Sequence, residues 1–158
     1  MNLIDNNYIS IQTIIPDIKI ISESAYFIIG FSEKKSLFYH FWKDEVEEMD
    51  EDSFKVEIAD VLDILEKVRP TYLLVNDKKR KHFISQDVND FIVAGFVPIY
   101  TNQGLKKIAI VSNEMFTRQI QSEKIVQELE NSSGSRGATF MFFIDISLAI
   151  EWLQLEEQ

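Results

Sequence analysis

Apolar residues recur in this chain in two alternating rhythms. Ala25 to Phe31 (AYFIIGF) and Leu37 to Trp42 (LFYHFW) are aromatic-rich runs separated by the polar stretch Ser32-Glu33-Lys34-Lys35-Ser36. Two such runs with a short polar connection predict a β-hairpin, although no glycine fixes the turn type. Phe54, Ile58, Val61, Leu62, Leu65 and Val68 then follow at spacings of 4, 3, 1, 3 and 3. That is the apolar stripe of an amphipathic helix. Asp50, Glu51 and Asp52 stand at its start, where carboxylates complement the helix dipole. Pro70 ends it, because Arg69 is biased away from helical angles.

The stretch from Thr71 to Phe96 is the centre of the pattern. Tyr72 to Val75 is an unbroken apolar run, which suits a strand covered on both faces. It breaks at Asn76-Asp77 and passes through the basic cluster Lys78-Lys79-Arg80-Lys81-His82. A second helix begins at Ser85 and carries Val88, Phe91, Ile92, Phe96 and Ile99. Pro98 removes one of its internal hydrogen bonds, and Gly104 suits a left-handed cap. Ile108 to Val111 is a second buried strand. A third helix is predicted from about Glu114 to Leu129, with Phe116, Ile120, Val126 and Leu129 on one side. The loop Asn131 to Gly137 is small and polar. Ala138 to Phe143 is a strand, and Asp145 caps a last helix bearing Leu148, Ala149, Trp152 and Leu155.

The predicted order is β-β-α-β-α-β-α-β-α. Strands alternating with helices predict a single α/β domain with a mixed, mainly parallel sheet flanked by helices and an antiparallel hairpin at its start. That domain spans residues 25–158. Residues 1–24 form an N-terminal extension. Within it Tyr8 to Ile15 and Ile18 to Ile21 are rich in β-branched residues but split by Pro16, so they are edge-strand pieces at best.

Composition narrows the function classes. The net charge is −10 and the isoelectric point about 4.6. Such a surface repels phosphate backbones, so nucleic-acid binding is not expected. The chain has no cysteine, which removes disulfides, thiolate metal sites and cysteine nucleophiles. No apolar run approaches the roughly 20 residues needed to cross a membrane. No basic segment followed by an apolar core marks a signal peptide. The expected location is the cytoplasm.

The candidate site is the loop at the carboxyl end of the central strand, where open α/β sheets place their ligands. Lys78, Lys79, Arg80 and Lys81 supply four of the chain's sixteen positive charges. They stand between Asp77 and the helix that starts at Ser85. A helix N-terminus beside lysines suits a phosphate, a carboxylate or an acidic partner surface. The alternative is a solvated loop with Ser85 as an ordinary N-cap. Phosphorylation of Ser85 is a third reading, because the phosphate would meet both the dipole and the lysines.

Other candidates are weaker. Asp44 to Asp52 contains seven acids but lacks the glycine and alternating ligands of a calcium loop. His40 shares a strand face with Phe38 and Trp42, which is the setting of a packed histidine. Two histidines without matching carboxylate spacing make no metal centre. No nucleophile elbow and no phosphate-binding glycine pattern is present. No catalysis and no cofactor are expected.

From Ala25 onward the layout resembles bacterial STAS-like domains of the SpoIIAA-like fold, as found in Bacteroidetes. The matching features are the LFYHFW strand ending in Trp42, the long helix leading to a buried strand that closes at Asp77, and Ile84-Ser85 opening the next helix. Phe96-Val97-Pro98, Gly104-Leu105-Lys106-Lys107-Ile108-Ala109 and the terminal FFID and AIEWL segments follow in order. The resemblance implies a non-catalytic regulatory or protein-interaction module. Its superfamily includes anti-sigma-factor antagonists and distant lipid carriers. The antagonists place an aspartate at the end of the third strand, matched here by Asp77, and a phosphorylated serine two residues later, where this chain has Lys79. Two readings follow. One is a module with a protein partner, with homodimerisation through the edge of the aromatic hairpin as one form of it. The other is a binding domain for a small anionic or lipidic ligand at the loop between Asp77 and Ser85.

Overall fold

The amphipathic stripe at residues 54–68 folds as expected. In a computed structural model of the chain, which describes residues 11–43, 49–77, 85–102, 104–112, 124–131 and 138–155, helix α1 spans Glu51–Val68. Asp50 is its N-cap and accepts a hydrogen bond from the Ser53 N–H at 2.7 Å. Arg69 takes a left-handed conformation with φ 52° and closes the helix by donating its N–H to the Leu65 carbonyl. Pro70 follows, and with no N–H to donate it cannot continue the helix.

Six strands form one sheet in sequential order. They are β1 (Lys19–Glu23), β2 (Phe27–Ser32), β3 (Leu37–Trp42), β4 (Tyr72–Asn76), β5 (Lys107–Val111) and β6 (Thr139–Phe143). The β1–β2 and β2–β3 pairs are antiparallel. The β3–β4, β4–β5 and β5–β6 pairs are parallel. The fold is therefore the expected mixed α/β sheet with an antiparallel start. In the β2–β3 turn Ser36, rather than a glycine, adopts the positive φ of 51°. Its carbonyl accepts hydrogen bonds from the N–H groups of Thr71 and Tyr72, which ties the turn to the start of β4.

Helix α2 spans Gln86–Asn102 and continues through Pro98. Ser85 caps it by accepting the Val88 N–H at 3.2 Å. Gly104, just beyond its end, has φ 76°. Residues 124–131 form helix α3, and Ile146–Leu153 forms helix α4, capped by Asp145. Right-handed crossovers that all advance in one direction put their helices on one face. Consistent with this, α1, α2 and α3 share one core with Phe27, Ile29, Phe38 and Leu73. The opposite face carries Tyr39, Phe41 and Leu74, covered by α4 and by Ile11, Ile15 and Ile18.

The N-terminal segment departs from expectation in one respect. Residues 11–14 are helical, not extended, and Ile11, Ile15 and Ile18 are buried. The Ile15 N–H donates to the Ile11 carbonyl at 2.8 Å, one helical turn on, and the Ile18 N–H to the Ile15 carbonyl at 3.1 Å beyond Pro16. After Pro16 the chain extends as β1, which pairs with β2 through a bulge between Ile20 and Ser22. A bulge at an edge strand interrupts the ladder and discourages further pairing.

Candidate functional site

Strand alternation sends Phe38, His40 and Trp42 of β3 toward the three-helix face, with Leu73 and Val75 of β4 beside them. Above them the helices do not close completely on the sheet. A pocket of about 170 Å³, partly open to solvent, remains between the two layers. The sheet contributes His40, Trp42, Leu73, Val75, Ile108, Ile110 and Phe140. Helix α1 contributes Phe54, Ile58, Val61, Leu62 and Leu65; α2 contributes Ile92 and Phe96; α3 contributes Ile125, Val126 and Leu129. Asp77, just past the end of β4, completes the lining. Among the described residues, every lining residue except His40 and Asp77 is apolar.

A cavity of this size in a core costs about 24 cal/mol per Å³ when unfilled. For 170 Å³ that is at most about 4 kcal/mol, because the pocket is partly open. That is large beside a net stability of about 5–15 kcal/mol for a whole domain. A space of this size is unusual in a close-packed core, which marks it as the candidate ligand site.

His40 is the distinctive group. It is 5% exposed and its Nε2 is buried with no hydrogen-bond partner among the described residues. Its ring lies edge-on to Trp42, with centroids 4.6 Å apart, and to Phe27 at 6.0 Å. Burial pushes its pKa down from 6.5 to about 4, and the Asp77 carboxylate offsets only part of that. The imidazole is therefore neutral at physiological pH. A nitrogen left unpaired inside a protein costs about 1–3 kcal/mol, and it belongs to a residue that lines the pocket. Asp77 is also 5% exposed, and its N–H donates to the Val111 carbonyl at 2.7 Å. This bond continues the β4–β5 ladder by one residue and fixes the carboxyl end of β4.

The residues singled out from sequence fall into three groups. Asp77 lines the pocket. Ser85 is half-buried, caps α2 and lies outside the lining. Lys78, Lys79, Arg80, Lys81 and His82 lie outside the described residues, as do Asp44 to Glu48 and Phe116 and Ile120 of the third predicted helix. Sequence reasoning read His40 as a packed histidine and did not connect it with Asp77. The signal was there in part, since one polar residue interrupts an otherwise aromatic strand face. Among the described residues, no three His, Asp or Glu side chains are grouped to hold a metal ion. Among the same residues, no helix is long and apolar enough to cross a membrane.

Gly95 offers a direct probe of the pocket. A Cβ at this position of α2 would lie 2.6 Å from the Cδ1 methyl of Leu62, a lining residue on α1. That methyl is the far end of a flexible side chain with open space beside it. Alanine is favoured over glycine in a helix by about 1 kcal/mol. Gly95→Ala is therefore expected to leave stability within about 1 kcal/mol of wild type, with Leu62 displaced into the pocket. Urea unfolding checks this. A loss above about 2 kcal/mol would mean that Leu62 has nowhere to go.

Comparison with protein-family models, with curated proteins and with solved structures gives no match.

Proposed function

We propose that this chain is a non-catalytic, STAS-like binding module of the cytoplasm that takes a small apolar ligand between its sheet and helix layers. The observation that carries this reading is the pocket of about 170 Å³, whose lining among the described residues is apolar except for His40 and Asp77. Such pockets, mostly apolar with a few convergent polar groups, are the usual form of small-molecule sites. The polar pair is poorly suited to proton transfer, because a histidine with a pKa of about 4 is a weak base at neutral pH. A regulatory role follows if occupancy of the pocket stiffens the helix layer that a partner would contact.

Thermal unfolding tests the reading with toluene, indole, 1-hexanol and octanoate, set against inorganic phosphate and nucleotides. A ligand at a hundred times its dissociation constant stabilises by about 2.7 kcal/mol. For a chain of this length that raises the midpoint by roughly 5–10 °C. A saturable rise with an apolar compound, reduced in Gly95→Ala, is the expected result. A rise with phosphate or nucleotides alone would move the site to the loop between Asp77 and Ser85 and overturn the pocket reading.

A second reading, recognition of a protein partner, draws on a different observation. Met141, Ile144 and Leu148 are 43%, 55% and 56% exposed on and beside β6 and α4. Large apolar side chains exposed near a strand edge are a common feature of association surfaces. Sedimentation of wild type and Leu148→Glu over a range of concentrations checks it, with self-association expected only in the wild type if the partner is a second copy.

A further inference from the structure

The chemistry of the pocket points beyond apolar ligands in general. We infer that the pocket selects an uncharged molecule of about one aromatic ring, or a short alkyl chain, bearing a single hydroxyl or N–H group that pairs with the imidazole of His40. This rests on the reading of the chain as a ligand-binding module.

Size sets the first limit. A cavity of about 150 Å³ lined by aliphatic and aromatic side chains holds benzene. The pocket here is about 170 Å³, room for a ring with one or two substituents. A long acyl chain exceeds this volume and would leave most of its length outside the pocket. Charge sets the second limit. Among the described residues the lining is apolar apart from His40 and Asp77, so an ion seated against them would lose its hydration. A carboxylate would also meet the like charge of Asp77. Polarity sets the third. The buried His40 Nε2 has no partner among the described residues, and neutral imidazole offers one donor and one acceptor nitrogen. As the ring stands Nε2 is fully buried, so a ligand reaches an imidazole nitrogen only when the ring turns; a half-turn exchanges nitrogen and carbon positions at nearly the same shape. A hydroxyl both donates and accepts, and so matches either tautomer. A hydrocarbon fills the space but leaves the nitrogen unpaired.

The test compares four probes of one shape: toluene, p-cresol, benzoate and benzylamine. Each is titrated at pH 7.5 into the full chain and followed by thermal shift and calorimetry. The expected result is at least tenfold tighter binding of p-cresol than of toluene, with no saturable binding of benzoate or benzylamine. His40→Phe is expected to keep toluene and lose the preference for p-cresol. If that variant does not fold, the wild type still decides. Long-range ¹H–¹⁵N spectra should show one imidazole nitrogen of His40 shifting with p-cresol and not with toluene, the His40 signals being assigned with His82→Gln. Equal binding of toluene and p-cresol would overturn the inference and leave the pocket reading intact. Preferential binding of either ion would do the same. No binding of any probe, toluene included, would overturn both.

Discussion

Acidification from pH 7 to pH 4 is expected to cost the protein about 3 kcal/mol of stability through His40 alone. The unfolded chain takes up a proton on this histidine near pH 6.5, whereas the folded protein, with a pKa of about 4, does not. Between these values the unfolded state binds more protons. Stability therefore rises with pH across the window and is lost as pH falls through it. Below about pH 4 both states are protonated and the slope from this group ends. Among the described residues, Asp77 is the charged group acting on the imidazole, and its attraction is already included in the lowered value. Glu57 acts in the opposite sense. Its carboxyl is held above the usual range by burial and by Asp60, so the folded state takes up that proton more readily. Asp50, held low chiefly by the Ser53 N–H, adds a loss only at more acidic pH. Urea unfolding of wild type and His40→Phe at several values between pH 4 and pH 7 isolates the histidine contribution. The two profiles should diverge below pH 6.5, and parallel profiles would mean that His40 is hydrated in the folded protein.

Leu73→Ala and Leu74→Ala should each cost about 3 kcal/mol, yet differ in what they do to ligands. The two residues are neighbours in β4, both buried, and face opposite sides of the sheet. Leu73 lines the pocket, whereas Leu74 packs against the core beneath α4. Removing the Leu73 side chain merges new space with the existing pocket. Removing that of Leu74 opens a separate void. Chemical unfolding should therefore show similar losses, while only Leu73→Ala should admit a two-ring compound such as naphthalene. If both variants accepted it equally, ligand entry would owe more to general loosening than to the pocket.

How far these features were readable in the sequence depends on their range. The stripe from Phe54 to Val68 and the caps at Asp50, Ser85 and Asp145 are local. They follow from spacing and from short side chains that bond nearby N–H groups, so the sequence displays them openly. The alternation of strands and helices gave the sheet for the same reason. Residues 11–18 were harder, because β-branching favours extension while the spacing of Ile11, Ile15 and Ile18 favours a turn of helix, and tertiary burial decided between them. The pocket had no local signature at all. It depends on how far three helices stand above one sheet, which is set by side chains distant in sequence. His40 could be placed on a face, but whether that face met a partner or a space was not written in LFYHFW.

The sequential order of the strands has a consequence for how anything enters and leaves. Ligand crevices in open α/β sheets form where the strand order reverses and neighbouring loops diverge. From β3 to β6 the parallel strands are laid down in one direction without a reversal. A molecule in the pocket would therefore lie beneath helices instead of between diverging loops, with the open side of the pocket as its way in. Its residence time would then depend on the spacing of the helices around that opening, and its affinity on the lining. The two properties are separable. The hydrogen bond from Asn89 on α2 to Glu128 on α3, at 2.9 Å, lies outside the lining but holds two of the covering helices together. Loosening that link is expected to change the rate of exchange while leaving what the pocket recognises intact.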